Sequence, residues 1–338
     1  MLESDRDRRV SPAVLLVATN LNDLDRLMLF AFEQSAATGA RLLLLHVVSP
    51  SISLNEEPDG VFDHDRAAVL ERAGTAMEPW CALARRRGVA CDALVLEGSA
   101  AAQISAAVRH YEADLLLIGA HSGNREGKPL LGSVAEVVLR TVNVPILTVG
   151  PEAHLPNASG EREALVIHAT ALAPASVMSA ALASQIAASN LARLLLLHVL
   201  PPVEQPKPKQ SADKSSFGKF DWSSLKQPPQ RITVVEEEVP EALCELRMMA
   251  AQLSEEFPVA VEASLAHGNP FIEILAVAAE RQASLIVLDS APRAAFDNLT
   301  RDRVATQVIA HARCPVLTLR DSSVRTAEAD PERLAIRR

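Results

Sequence analysis

Residues 114–149 read DLLLIGAHSGNREGKPLLGSVAEVVLRTVNVPILTV, and residues 284–319 read SLIVLDSAPRAAFDNLTRDRVATQVIAHARCPVLTL. Pro145 falls on Pro315, and the two stretches align at that offset without a gap. Leu115, Val134, Ala135, Val138, Leu147 and Thr148 meet Leu285, Val304, Ala305, Val308, Leu317 and Thr318. Each stretch is a short apolar run, a polar loop, an amphipathic helical pattern and a second apolar run. That is a strand, loop, helix and strand. The apolar frame is duplicated, but the loop is not. Gly119, Ser122 and Gly132-Ser133 face Asp289, Pro292 and Asp302-Arg303.

The duplication extends outward from this unit. ARLLLLHVV (40–48) and ARLLLLHVL (192–200) are nearly the same, and Gly98 and Gly268 each precede a helical pattern. In the first half, apolar runs at Ala13–Ala18, Leu42–Val48, Ala93–Leu96, Leu115–Ile118 and Val144–Val149 alternate with amphipathic segments near 23–38, 63–87, 100–111 and 133–142. The second half repeats the order, with runs at Leu165–Ala169, Leu194–Leu200, Val259–Ala263, Leu285–Leu288 and Val316–Leu319. Most of these runs are continuous rather than alternating, as in strands covered on both faces. The expected architecture is α/β: two tandem Rossmann-like domains, each a five-stranded parallel sheet with flanking helices. The domains are expected at 11–150 and 162–320, joined by a linker at 151–161. Pro79 is expected to kink or break the second helix. Residues 201–231 are rich in Pro, Lys, Ser and Gln and read as a flexible insertion; 321–338 read as a polar tail.

Composition narrows the function. The chain has 338 residues, 49% of them hydrophobic, but only 3% aromatic, so its cores are aliphatic. A net charge of −9 offers no electrostatic footprint for nucleic acid or an anionic membrane. The start MLESDRDRRVSP has no apolar segment of a signal peptide, and no apolar run approaches a membrane span. The four cysteines are scattered without metal-site spacing, and read as small buried hydrophobes in a reducing compartment. A cytoplasmic location is expected.

The loop after the fourth strand carries the candidate chemistry. In open α/β sheets, ligands bind beyond the carboxyl ends of strands where strand order reverses. A helix N-terminus there presents free N–H groups and a positive dipole end to a phosphate. Gly119 and Gly132 let backbone approach a ligand, Ser133 adds a hydroxyl, and Arg125 and Lys128 could add charge. Ser133 and Glu136 have capping-box spacing. The alternative is a tight glycine turn whose serine only caps its helix. The run 122–128 is not a Walker A loop, because Ser122 and Pro129 occupy its first glycine and final hydroxyl positions. His46 and His198 end matching strands and read as structural. His121 and Asp23 are weak acid/base candidates, and no constellation supports efficient catalysis.

The segments VLLVATN (14–20), LLLLHVV (42–48), EGSAAAQI (97–104), ADLLLIGAHS (113–122) and GSVAEVVLRTVNVPILTV (132–149) resemble, in order, the universal stress protein family. GAHS-x9-GS is similar to its nucleotide motif, Gly-x2-Gly-x9-Gly-Ser/Thr. The resemblance covers nearly the whole chain as two copies. It implies binding of ATP or AMP, with Mg2+ as a companion ion, and a regulatory role in stress adaptation. It places Asn20 near the adenosine, where the family usually has Asp, and Val47 at the adenine. Gly119, His121, Ser122, Gly132, Ser133 and Val134 would surround the phosphates. Ser122 departs from the family's second glycine. The family also commonly dimerises through its last strand, which implies pairing of 144–149 with 316–319 as an intramolecular pseudo-dimer, and a homodimer as a further possibility.

The second copy lacks the parts: Asp289 and Asp302 would set carboxylates against phosphate, Pro292 removes a donor, and Ala171 replaces Asn20. One nucleotide site per chain is therefore expected. A nucleotide-free interaction scaffold is the alternative, and a slow nucleotide hydrolase a third reading. The protein partner is not legible.

Overall fold

The computed structural model describes residues 13–49, 62–120, 131–154, 163–173, 176–200, 240–290 and 299–320. These form two compact units, Met1–Gly160 with Leu288–Arg338, and Glu161–Val287.

The first unit begins with β1 (Val14–Thr19), α1 (Leu24–Thr38), β2 (Arg41–Val48), α2 (Phe62–Arg86) and β3 (Cys91–Glu97). It continues with α3 (Ala100–His110), β4 (Leu115–Gly119), α4 (Ser133–Thr141) and β5 (Ile146–Val149). The strand order is β3-β2-β1-β4-β5, all parallel through these pairs. Order reverses between β1 and β4: from β1 the chain first builds outward through β2 and β3, then returns to add β4 and β5 on the other side.

The runs of Leu and Val form the strands because both faces are covered. Val14, Leu16, Ala18, Leu43, Leu45, Leu116 and Ile118 pack with Ile104, Val108, Ala135 and Val138 of α3 and α4. Their neighbours Leu15, Val17, Leu42, Leu44 and Leu117 point to the opposite face by the strand's two-residue period. They are equally buried. α1 ends at Gly39, whose φ of 69° gives the left-handed cap that a Cβ would strain. Pro79 lies inside α2 without ending it. Asp114 Oδ2 accepts from the Val14 N–H at 2.7 Å, tying the start of β4 to that of β1.

α8 (Leu299–His311) and β10 (Val316–Arg320) complete this unit. β10 pairs antiparallel with β5, Leu317 opposite Leu147 and Val316 opposite Thr148.

The second unit holds β6 (Leu165–Ala169), α5 (Ser176–Ser189), β7 (Arg193–Leu200), α6 (Glu241–Glu256), β8 (Val261–His267) and α7 (Pro270–Glu280). β9 (Leu285–Ser290) begins in it. β6 pairs parallel with β7 and β7 with β8, the same order as β1, β2 and β3. The insertion at 201–231 and the tail at 321–338 lie outside the described residues. Among the described residues, no helix is long and apolar enough to cross a membrane.

Candidate functional site

The site is built where strand order reverses, from the ends of β1 and β4 and the start of α4. β1 ends at Thr19, whose Oγ1 accepts from the Leu21 N–H at 2.9 Å and donates to Asp23 Oδ1 at 3.1 Å. Asn20 Oδ1 accepts from the Asn22 and Asp23 N–H groups at 2.9 and 3.3 Å, an Asx turn that leads into α1. Between them Leu21 holds a φ of 71°, unusual for a leucine and sustained by these bonds. Asn20 is exposed, and its side-chain oxygen is engaged with backbone.

β4 ends at Gly119, which is paired with Val149 of β5. The next residue, Ala120, is fully buried; its N–H donates to Val149 O, and its carbonyl accepts from Gly132 N–H, both at 2.9 Å. Ala120 therefore pins the start of α4 to the end of β4. A Cβ on Gly119 would overlap Asp23 Oδ2 and lie 3.2 Å from Asp23 Cγ. The Asp23 carboxylate thus covers the glycine that sequence reasoning reserved for ligand backbone contact.

α4 begins one residue earlier than a capping box on Ser133 and Glu136 requires. Gly132 is the N-cap, with φ −65° and ψ 146°, and among the described residues no side chain caps the helix. Ser133 is the first helical residue, so it cannot cap, and Glu136 instead pairs with Arg140 at 2.8 Å. The capping box expected from 133–136 is not formed. The consequence favours a ligand: first-turn N–H groups without a side-chain acceptor are what a phosphate satisfies. Ser133 and Val134 are exposed at this end, whereas Val47 is half-buried on β2 against the core. The structure thus brings together Asn20, Gly119, Gly132, Ser133 and Val134. His121, Ser122, Arg125 and Lys128 lie outside the described residues.

His46 and His198 have structural roles. His46 Nδ1 lies 2.9 Å from Thr19 O, and His198 Nδ1 2.8 Å from Thr170 O. A carbonyl only accepts, so each Nδ1 carries the proton and each ring ties β2 or β7 to the turn after its neighbour. Thr19 and Asp23 were the residues whose place sequence reasoning missed. The available signal was TNLND (19–23) against TALAP (170–174), a turn whose threonine is repeated and whose acid is not. The turn itself recurs: Thr170 Oγ1 accepts from Leu172 N–H at 3.1 Å, and Leu172 has a φ of 54°. Among the described residues, no group of His, Cys, Asp and Glu is arranged to hold a metal ion.

A profile of the universal stress protein family matches residues 13–150 and 173–320. The chain belongs to the universal stress protein family. Two matched segments make it a tandem member. Its fold is similar to that of a universal stress protein from Archaeoglobus fulgidus DSM 4304, with 18% identity and a TM-score of 0.63 over 92% of this chain and 97% of that one. It is also similar to a putative universal stress protein from Pseudomonas aeruginosa UCBPP-PA14, with 15% identity and a TM-score of 0.55 over 95% and 97%. A family protein from Arabidopsis thaliana with AMP bound matches at 19% identity, covering 40% of this chain and 90% of that one, with a TM-score of 0.30. No curated protein matches the chain in sequence.

Proposed function

We propose that the first copy binds one adenine nucleotide, ATP or AMP, at the crevice between β1 and β4, and that occupancy regulates the protein's partners in stress adaptation. The observation that carries this reading is the Ala120 bridge. It sets the uncapped start of α4 beside the end of β4, at the position where strand order reverses. Family membership supports the same reading. In this reading the N–H groups of Ser133 and Val134 take the phosphates, with the Ser133 hydroxyl beside them. Asn20 donates to the ribose, and Val47 lines the base. His121 and Ser122 come from the connecting loop. Mg2+ would accompany ATP by neutralising its phosphates rather than by occupying a prebuilt protein cage.

The geometry sets one condition. Asp23 must turn away from Gly119, or the nucleotide must approach on the α4 side of it, because two like charges at contact repel by about 1 kcal/mol even in water. The second copy is read as a structural partner, and β5–β10 pairing as an intramolecular counterpart of the family's last-strand association.

Isothermal titration of the full chain with ATP and with AMP, each with and without Mg2+, tests the proposal. About one site per chain is expected. Two equal sites would overturn the asymmetry between copies. No heat and no competition with a fluorescent ATP analogue at millimolar nucleotide would favour the nucleotide-free scaffold.

A further inference from the structure

α2 and β3 meet through two cysteines. α2 stops at Arg86, and the chain turns through Gly88, whose φ of 80° is left-handed. The Val89 N–H returns to Ala84 O at 3.0 Å and closes the helix end. This tight reversal folds the first residue of β3 beneath the last turns of α2. Cys81 Sγ and Cys91 Sγ come to 3.0 Å of one another. Both thiols are free, and both side chains are sealed, Cys81 at 0% and Cys91 at 2% exposure. Arg85 closes the cluster: its Nη2 donates to the Cys91 carbonyl at 2.8 Å and its Nη1 to Glu78 Oε1 at 3.0 Å.

We propose that Cys81 and Cys91 are a reversible thiol–disulfide pair, oxidised by a hydroperoxide, that latches α2 to the edge strand β3. A disulfide needs its sulfurs at about 2.05 Å, so closure by about 1 Å is required, within reach of side-chain rotation and a small shift of α2. The chemistry is asymmetric. Cys91 donates its S–H toward Cys81, which, with the Arg85 guanidinium nearby, pulls the Cys81 thiol below its usual range. The same contact and burial push the Cys91 thiol up. Cys81 is therefore the attacking thiolate and Cys91 the resolving thiol.

Cys81 sulfur attacks one peroxide oxygen; the O–O bond breaks, leaving a sulfenic acid on Cys81 and releasing water once the departing hydroxide takes a proton. Cys91 sulfur then attacks Cys81 sulfur, the S–O bond breaks, and a second water leaves. Two thiols and one hydrogen peroxide become one disulfide and two waters. Pro79 leaves one backbone hydrogen bond of α2 unmade beside the pair. It lacks the N–H that would bond Thr75 O one turn back, two residues before Cys81.

The test treats the full-length native protein carrying Cys244→Ser, which removes the exposed thiol, with excess hydrogen peroxide. The protein is then denatured, alkylated with iodoacetamide and digested without reductant. The expected product is a Cys81–Cys91 linked peptide pair, lighter by two hydrogens than the reduced pair and released by dithiothreitol. Two alkylatable thiols should disappear together. In a Cys91→Ser or Cys91→Ala protein with a native circular dichroism spectrum, the link is impossible, and dimedone should trap a sulfenic acid at Cys81. Full alkylation of both residues, after a dose that completely converts Cys244 in the unsubstituted protein, overturns the proposal. So does a link from either residue to Cys314 in place of the other.

Discussion

The carboxylate of Asp23 stands over the α-carbon of Gly119, close enough that no side chain fits there. Thr19 Oγ1 donates to the other carboxylate oxygen and holds it in place. In the proposed site this negative charge lies at the end of β4 toward which phosphate would approach. Asp23→Asn keeps the shape and the hydrogen bond from Thr19 while removing the charge. ATP affinity should rise by up to about fivefold, the factor that roughly 1 kcal/mol of repulsion corresponds to. AMP, with less phosphate charge, should gain less. Titration of both nucleotides against both proteins decides. An unchanged or weaker ATP affinity in folded Asp23→Asn would put the phosphates away from Gly119.

Gly132→Asp separates stability from binding. Gly132 caps α4 with φ −65° and ψ 146°, a conformation any residue adopts, so no backbone strain attends the change. Asp is a favoured N-cap, stabilising a helix by about 0.5–2 kcal/mol relative to a non-capping residue such as Ala and somewhat less relative to Gly. The residue aligned with Gly132 in the second copy, Asp302, lies inside α8 rather than at its N-cap. The melting temperature should hold or rise slightly, while nucleotide binding is lost, because the carboxylate takes the N–H groups meant for phosphate. Retained binding in the stable variant would disprove the role assigned to the α4 terminus.

The central strands were legible because two-sided burial writes itself as continuous Leu and Val. The edge strands were not. The apolar run placed β3 from Ala93 and β8 from Val259, whereas they span Cys91–Glu97 and Val261–His267. Both displacements have one cause. An edge strand leaves residues such as Asp92 and Ala93 exposed, so polar residues enter its pattern and apolar runs no longer mark its ends. At the site, the glycines and the helix start could be read from spacing. The place of Asp23 could not, since it depends on the left-handed Leu21 and on the Thr19 hydroxyl. Nor could the Cys81–Cys91 contact, since spacing along the chain does not say how tightly α2 reverses into β3. Ser133 was misread as a cap because spacing alone does not distinguish the N-cap from the residue after it.

Gly150, after β5, packs against backbone of the C-terminal element of the same unit. An added Cβ would sit 3.0 Å from Ile309 O and 3.3 Å from Ala312 O. Neither is the end of a flexible side chain, so the relief must come from moving α8 away from β5. Gly150→Ala should cost about 1–3 kcal/mol, the range for overpacking, visible as a lower denaturant midpoint with unchanged slope. No loss would mean that α8 shifts freely on this edge.

Gln103 and Glu273 occupy matching places in the two copies, each beside a glycine with strongly positive φ, 132° at Gly98 and 144° at Gly268. Gln103 Nε2 donates to Glu97 O at 3.0 Å. Glu273 has no such donor when ionised; a Cβ on Gly268 would lie 2.8 Å from its Oε1. Burial pushes the Glu273 carboxyl above its usual 4.5, and His267 offsets part of the shift. A carboxyl raised in the folded state favours folding only while it is protonated. Its contribution is complete below pH 4.5 and is lost as pH rises through the folded-state value. Glu273→Gln mimics the protonated form and can donate to the His267 carbonyl as Gln103 does to that of Glu97. Its melting temperature should match the parent near pH 4 and exceed it by about 1–2 °C at pH 7, a small gain because the group is partly solvated. Melting curves of both proteins across that range check the sign. A variant less stable than its parent at pH 7 would show that the ionised carboxylate is favoured where it stands.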